Sequence, residues 1–218
     1  MKKKKNFWFI ILAILVILAF GYVLKTEIKQ YQDKTFLSKL QGEVVFAKRG
    51  ENNKVGIWKI NIDGTNKTKL YEHPYSGCFH PQWNIGGKRI FFIAFDKDGE
   101  KQIYTIDENG KNFKKAEEIG GYYKNDTTSH LTWDRAELMV EKGDIYYIKR
   151  NKAEKELIKI YNHKGWYNID YQPGAAEVSW NPDKKYVIFE ENFGFIKIAD
   201  LNGNWANLTQ GQEPDWKY

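Results

Sequence analysis

Residues 80–93 read HPQWNIGGKRIFFI, and residues 178–190 read VSWNPDKKYVIFE. Each stretch holds a tryptophan, a polar turn, a basic pair and then a run of β-branched and aromatic residues, the composition of two strands joined by a reversal. Outward from these, GEVVFAK (42–48), GIWKIN (56–61), KQIYTID (101–107), DIYYIKR (144–150) and FGFIKIAD (193–200) are equally short and β-rich. Asp63-Gly64, Asn109-Gly110 and Asn202-Gly203 lie between them. Such dipeptides supply the positive φ that tight reversals require.

The pattern is periodic. Gly64 and Gly110 are 46 residues apart, and Gly110 and Gly203 are 93 apart, close to twice that. Trp83, Trp133 and Trp180 follow at intervals of 50 and 47, and Trp216 comes 36 residues later. A period of about 40–50 residues built from four short strands predicts an all-β propeller, with one repeat per blade.

Several motifs carry a resemblance: Trp180-Asn181-Pro182-Asp183 with Val187 to Phe189, Pro81-Gln82-Trp83 with Ile90 to Phe92, Ile103-Tyr104 with Asp107 and Gly110, and Leu208-Thr209. Over residues 42–218 the repeat resembles the TolB-like, WD-type propeller repeat. That resemblance implies a scaffold or interaction role in the cell envelope. One repeat departs from it: Trp133-Asp134-Arg135-Ala136-Glu137 lacks the Pro-Asp-Gly turn, and Asn151 to Tyr171 contains no D-x-x-G.

At about 44 residues per repeat, 42–218 makes four blades. Gly42 enters at the second strand of a repeat, whereas Glu213-Pro214-Asp215-Trp216 is a first strand with nothing after it. The C-terminal segment is therefore expected to dock beside Val44 to Phe46 and close a small ring. A homodimer joining two such arcs into one larger ring is the rival arrangement.

Residues 1–24 hold Lys2 to Lys5 and then the uncharged run 7–24, FWFIILAILVILAFGYVL. Eighteen apolar residues approach the length of a membrane-crossing helix, and the lysines hold its N-terminus in the cytoplasm. Residues 7–24 are read as a single-pass signal-anchor in the cell membrane, with 42–218 on the extracytoplasmic side. Cleavage near Ala19-Phe20-Gly21 would instead yield a secreted or periplasmic domain. Residues 25–41 read as a helical stalk, a solvated continuation of the anchor, against a surface for self-association or for lying on the lipid headgroups. The lysine cluster supplies four of the six net positive charges and the stalk the other two. The domain is therefore neutral and offers no basic patch for nucleic acid. Cys78 has no partner for a disulfide and is expected as a small buried side chain.

Along each predicted inner strand, polar residues stand one and three positions before the tryptophan. The outer set is His80, His130, Glu177 and Glu213, and the inner set is Gln82, Thr132, Ser179 and Asp215. Strand alternation places both sets toward the channel. Two imidazoles and two carboxylates on one axis are a candidate divalent-metal site, against a polar channel in which His and Glu pair with each other. No cofactor is otherwise implied, and no catalytic residue is assigned. No G-x-S-x-G elbow, Walker loop or dinucleotide fingerprint is present. His73 and His163 read as surface loop residues.

The expected function is binding of a protein or peptide partner, not catalysis. Tyr75, Phe79, Tyr122, Tyr123, Trp166, Tyr167 and Trp205 are the candidate contacts. The alternative is a carbohydrate-binding protein or polysaccharide lyase with a channel metal, as in related propellers that act on uronates. A purely structural spacer is the third reading.

Overall fold

The computed structural model describes residues 2–84, 86–116, 138–141, 144–150, 155–161, 175–181, 183–192 and 194–217. Among the described residues one helix, α1 (Lys2–Leu37), precedes fifteen strands arranged in four antiparallel sheets. The first sheet orders β15-β1-β2-β3, from β1 (Glu43–Arg49), β2 (Val55–Asn61), β3 (Thr68–Tyr71) and β15 (Gln212–Trp216). The second runs β4-β5-β6-β7: β4 (Phe79–Trp83), β5 (Arg89–Phe95), β6 (Lys101–Asp107) and β7 (Lys114–Lys115). In the third, β10 (Lys155–Tyr161), β9 (Asp144–Arg150) and β8 (Leu138–Glu141) pair in that order. The fourth runs β11-β12-β13-β14: β11 (Ala175–Trp180), β12 (Tyr186–Glu191), β13 (Phe195–Asp200) and β14 (Trp205–Gln210).

The repeated Trp-Asn has a local cause. Asn84 Oδ1 accepts the backbone N–H groups of Lys88 (3.0 Å) and Arg89 (2.9 Å). Asn181 Oδ1 accepts those of Lys185 and Tyr186, both at 2.8 Å. In each case one amide side chain clasps the turn that feeds the buried strand after it. Aspartates do the same work at the D-x-x-G turns. Asp107 Oδ1 accepts from the N–H groups of Asn109 and Lys111, and Asp200 Oδ1 from those of Asn202 and Asn204. Gly110 and Gly203 take φ of 78° and 83° there, where a side chain would be strained.

The first and last strands share the first sheet. β15 pairs antiparallel with β1, Val44 opposite Trp216 and Val45 opposite Asp215. The C-terminal segment thus docks where the sequence predicts, and the inner edge of β1 is occupied by the chain's own tail. Three apolar clusters join the sheets. Val44, Phe46, Ile60 and Trp216 pack against Ile188, Ile196, Ile198 and Ala206, joining the first sheet to the fourth. Val45, Ile57 and Cys78 meet Trp83, Ile90, Phe92 and Tyr104, joining the first to the second. Ile145 meets Val178, Trp180, Val187 and Phe189, joining the third to the fourth. Burial pushes the Cys78 thiol up to about 12, consistent with a packing role.

α1 contains a stretch long and apolar enough to cross a membrane, and its side chains from Leu12 to Leu24 stand away from the sheets. The stalk continues the helix with most of its residues exposed, but one side of it docks on the sheets. Phe36 meets Tyr186 edge-on with ring centroids 6.1 Å apart, and Leu37 and Leu40 complete the cluster between the first and fourth sheets. Asp33 Oδ2 accepts from Asn207 N (3.3 Å) and Nδ2 (2.9 Å). This satisfies an outward N–H of β14, the edge strand of its sheet.

Candidate functional site

Two groups of residues carry chemistry, and the first surrounds β15. Asp215 Oδ2 accepts from the backbone N–H of Trp83 at 2.8 Å, and its Oδ1 from the Ser179 hydroxyl at 3.2 Å. Glu213 accepts from the backbone N–H of His80 and lies 3.3 Å from His80 Nδ1. The Glu213 N–H in turn donates to Glu190 Oε2 at 3.1 Å. Lys217 reaches Glu43 of the first sheet and Glu108 of the second, both at 2.9 Å. The carboxylates of β15 thus bind backbone and side chains of the sheets on either side.

The geometry corrects the simple alternation. His80 and Glu213 have φ of 48° and 52°, and the pairing registers of β4 and β15 shift at those residues. β11 carries a register shift between Ala176 and Ser179. Each of these three strands therefore bulges, which breaks the strict alternation between residues three before the tryptophan and those one before it. Of the predicted outer set, His80 and Glu213 come together, and Glu177 lies on β11. His130 and Thr132 lie outside the described residues. Among the described residues no three His, Cys, Asp or Glu side chains converge as a metal site would need. His80 and Glu213 alone do not make one.

The second group is an aromatic strip at the border of the first and second sheets. Phe113 stacks on Tyr71 and Tyr104, with centroids 5.0 and 4.9 Å apart. His73 lies 5.1 Å from Tyr104, 5.7 Å from Tyr75 and 5.9 Å from Phe113. Tyr75 is 66% exposed, Phe113 41% and Phe95 39%. A second aromatic pair lies beside the Tyr75 turn: Ser76, next to Tyr75, accepts the Phe95 N–H at 2.8 Å, and Phe95 meets Phe79 edge-on. Burial pushes the Tyr71 hydroxyl up to about 12, so the ring group stays neutral.

His73 is a correction. It is 3% exposed rather than on the surface, and its Nδ1 has no hydrogen-bond partner. Burial pulls its pKa below the ordinary 6.5, with Asp96 opposing and Lys54 assisting. Trp205 is a second correction. It is half buried, with Lys29 and Lys197 Nζ 3.9 and 4.0 Å from its ring, so the stalk occupies it. Tyr75 lies on the strip and Phe79 in the pair beside it as candidate contacts, whereas Tyr122, Tyr123, Trp166 and Tyr167 lie outside the described residues. Phe113, Phe95 and Tyr71 were not singled out from sequence. Turn-adjacent aromatics bracketing a D-x-x-G motif were the available signal.

No family model matches the chain. Tricorn protease of Thermoplasma acidophilum is 33% identical over 113 residues, which is 47% of this chain and 10% of that protein. Oligogalacturonide lyase of Pectobacterium atrosepticum is 25% identical over 191 residues, 79% of this chain and 47% of that one. The chain thus spans about a tenth and about half the length of these two relatives. Among solved structures, TolB from Acinetobacter baumannii matches at 14% identity and a TM-score of 0.36, covering 81% of this chain and 54% of TolB. The described residues form an all-β protein of antiparallel sheets behind one apolar N-terminal helix.

Proposed function

We propose that the protein is a membrane-anchored, extracytoplasmic four-bladed propeller, closed by β15, that serves as a docking scaffold for a protein or peptide in the cell envelope. The exposed aromatic strip of Tyr75 and Phe113, with Phe95 in the pair beside it, carries this reading. Exposed rings fixed by stacking offer large apolar area at little cost in side-chain freedom, and aromatic residues are favoured anchors at interfaces. The pairing of β15 with β1 supports closure, since β15 completes a four-stranded sheet by covering the inner edge of β1. The apolar stretch of α1 supports the anchor.

The test is a photo-crosslinking amino acid at Tyr75 in the full chain in native membranes, compared with the same group at Lys97, an exposed turn residue. A discrete protein adduct at Tyr75 and not at Lys97 is expected. Identical patterns at both sites would overturn the strip as a docking surface.

A carbohydrate-acting reading has one observation in its favour, the similarity to oligogalacturonide lyase. It requires His130 and Glu177 to join His80 around a metal. Such a metal would polarise a sugar carboxylate, and the His80–Glu213 pair would have to open to serve it.

A further inference from the structure

We infer that the β-domain is seated directly on the bilayer, with the Trp205 corner of the fourth sheet resting against the lipid headgroups at the outer end of the helix. The inference rests on α1 being a retained anchor and adds where the domain stands relative to the membrane.

The argument is one of length and rigidity. α1 is continuous from Lys2 to Leu37, with no break between its apolar and docked parts. Its apolar run ends at Leu24, and Lys29 follows five residues later. At a rise of about 1.5 Å per residue, Lys29 stands about 7–8 Å beyond the hydrocarbon. The headgroup region adds about 5–7 Å on each side of the hydrocarbon core. Lys29 is already attached to the domain: its Nζ donates to Trp205 O at 3.3 Å, lies over the Trp205 ring, and pairs with Asp33 at 2.7 Å.

Higher on the same helix, Phe36 meets Tyr186 of β12, two strands inward from β14. Neighbouring strands lie about 4.8 Å apart, so the helix moves about 10 Å across the sheet while rising about 10 Å. The sheet is therefore stacked along the helix, with its edge strand nearest the membrane. No slack exists to lift it, because Asp33 holds Asn207 and Leu37 and Leu40 are part of the core. The lowest corner carries the half-buried Trp205 with Lys29 over its ring, and an amphipathic ring beside a lysine is suited to the membrane–water boundary.

The test uses the full chain labelled with 5-fluorotryptophan, in bilayer nanodiscs containing a lipid with a gadolinium-chelating headgroup. Fluorine resonances are assigned by single Trp→Phe variants. The Trp205 and Trp8 signals should broaden several-fold more than that of Trp83, which lies on the inner strand of the second sheet. Trp8 broadened with Trp205 no broader than Trp83 would overturn the seating and leave the anchor standing. Neither Trp8 nor Trp205 broadened would overturn the anchor and the seating together. Trp205→Phe is checked for the native near-ultraviolet circular dichroism. If it unfolds, Trp→Phe variants at the other seven tryptophans (Trp8, Trp58, Trp83, Trp133, Trp166, Trp180 and Trp216) leave the Trp205 signal as the one unassigned.

Discussion

Replacing Asp215 by alanine tests the tie between the sheets, because its two oxygens serve two neighbours of β15. The change removes the acceptors of the Trp83 N–H at 2.8 Å and of the Ser179 hydroxyl at 3.2 Å. Both donors sit in buried surroundings. A buried donor left unsatisfied costs about 1–3 kcal/mol. Ser179 has a second acceptor, Trp180 O at 3.4 Å, so its loss lies at the low end. The variant should lose about 2–4 kcal/mol, and with a urea slope of about 2 kcal/mol/M the midpoint should fall by about 1–2 M. Asp215→Asn keeps an oxygen for the Trp83 N–H and offers an amide to Ser179, so it should lose only about 1 kcal/mol. Tryptophan fluorescence in urea, on the full chain in mild detergent, reads both. Equal midpoints for the alanine and asparagine variants would refute the view that this carboxylate bolts β15 to the flanking sheets.

Three further outcomes follow from the same geometry. His73 binds its proton more weakly folded than unfolded, so stability is full above about pH 6.5 and falls as pH drops below it, where only the unfolded chain is protonated; His73→Phe should flatten the dependence of the urea midpoint between about pH 8 and 5.5, and an unchanged slope counts against the buried imidazole. At Gly211 an added Cβ would stand 2.3 Å from the Phe46 ring and 2.9 Å from Ile196, so Gly211→Ala should lose about 1–3 kcal/mol in thermal unfolding, by overpacking. Elemental analysis of purified protein should find less than about one-tenth equivalent of any divalent metal if His80 and Glu213 serve only each other; one equivalent, lost in His80→Ala, would revive the channel site.

What was legible in the sequence is what short-range chemistry fixes. The reversals at Asp63-Gly64, Asn109-Gly110 and Asn202-Gly203, and strands such as DIYYIKR and YVIFEE, are dictated by residues a few positions apart. The docking of Trp216 was also readable, because the two ends of the chain are complementary phases of one repeat. The bulges at His80 and Glu213 were not. Both residues look like ordinary strand positions, and their positive φ arises where β4 and β15 meet across the molecule. Sequence placed His80 and Glu213 in one ring but could not say that they would bind each other. His73 was misread for the same reason. Its loop position suggested exposure, and its burial comes from Tyr104 and Phe113 of the next sheet. The docked side of the stalk was hidden by its composition. Its lysines look solvated, yet Lys29 uses its stem and charge on Trp205.

The shared first sheet also sets a timetable. During vectorial synthesis β1 emerges early, but its partner β15 leaves the ribosome about 170 residues later. Until then the inner margin of β1 has no backbone mate, and the core between the first and fourth sheets lacks Trp216. Prematurely terminated chains cannot complete this sheet, which leaves them recognisable to proteases. Only once β15 has been made does this sheet acquire its protected state.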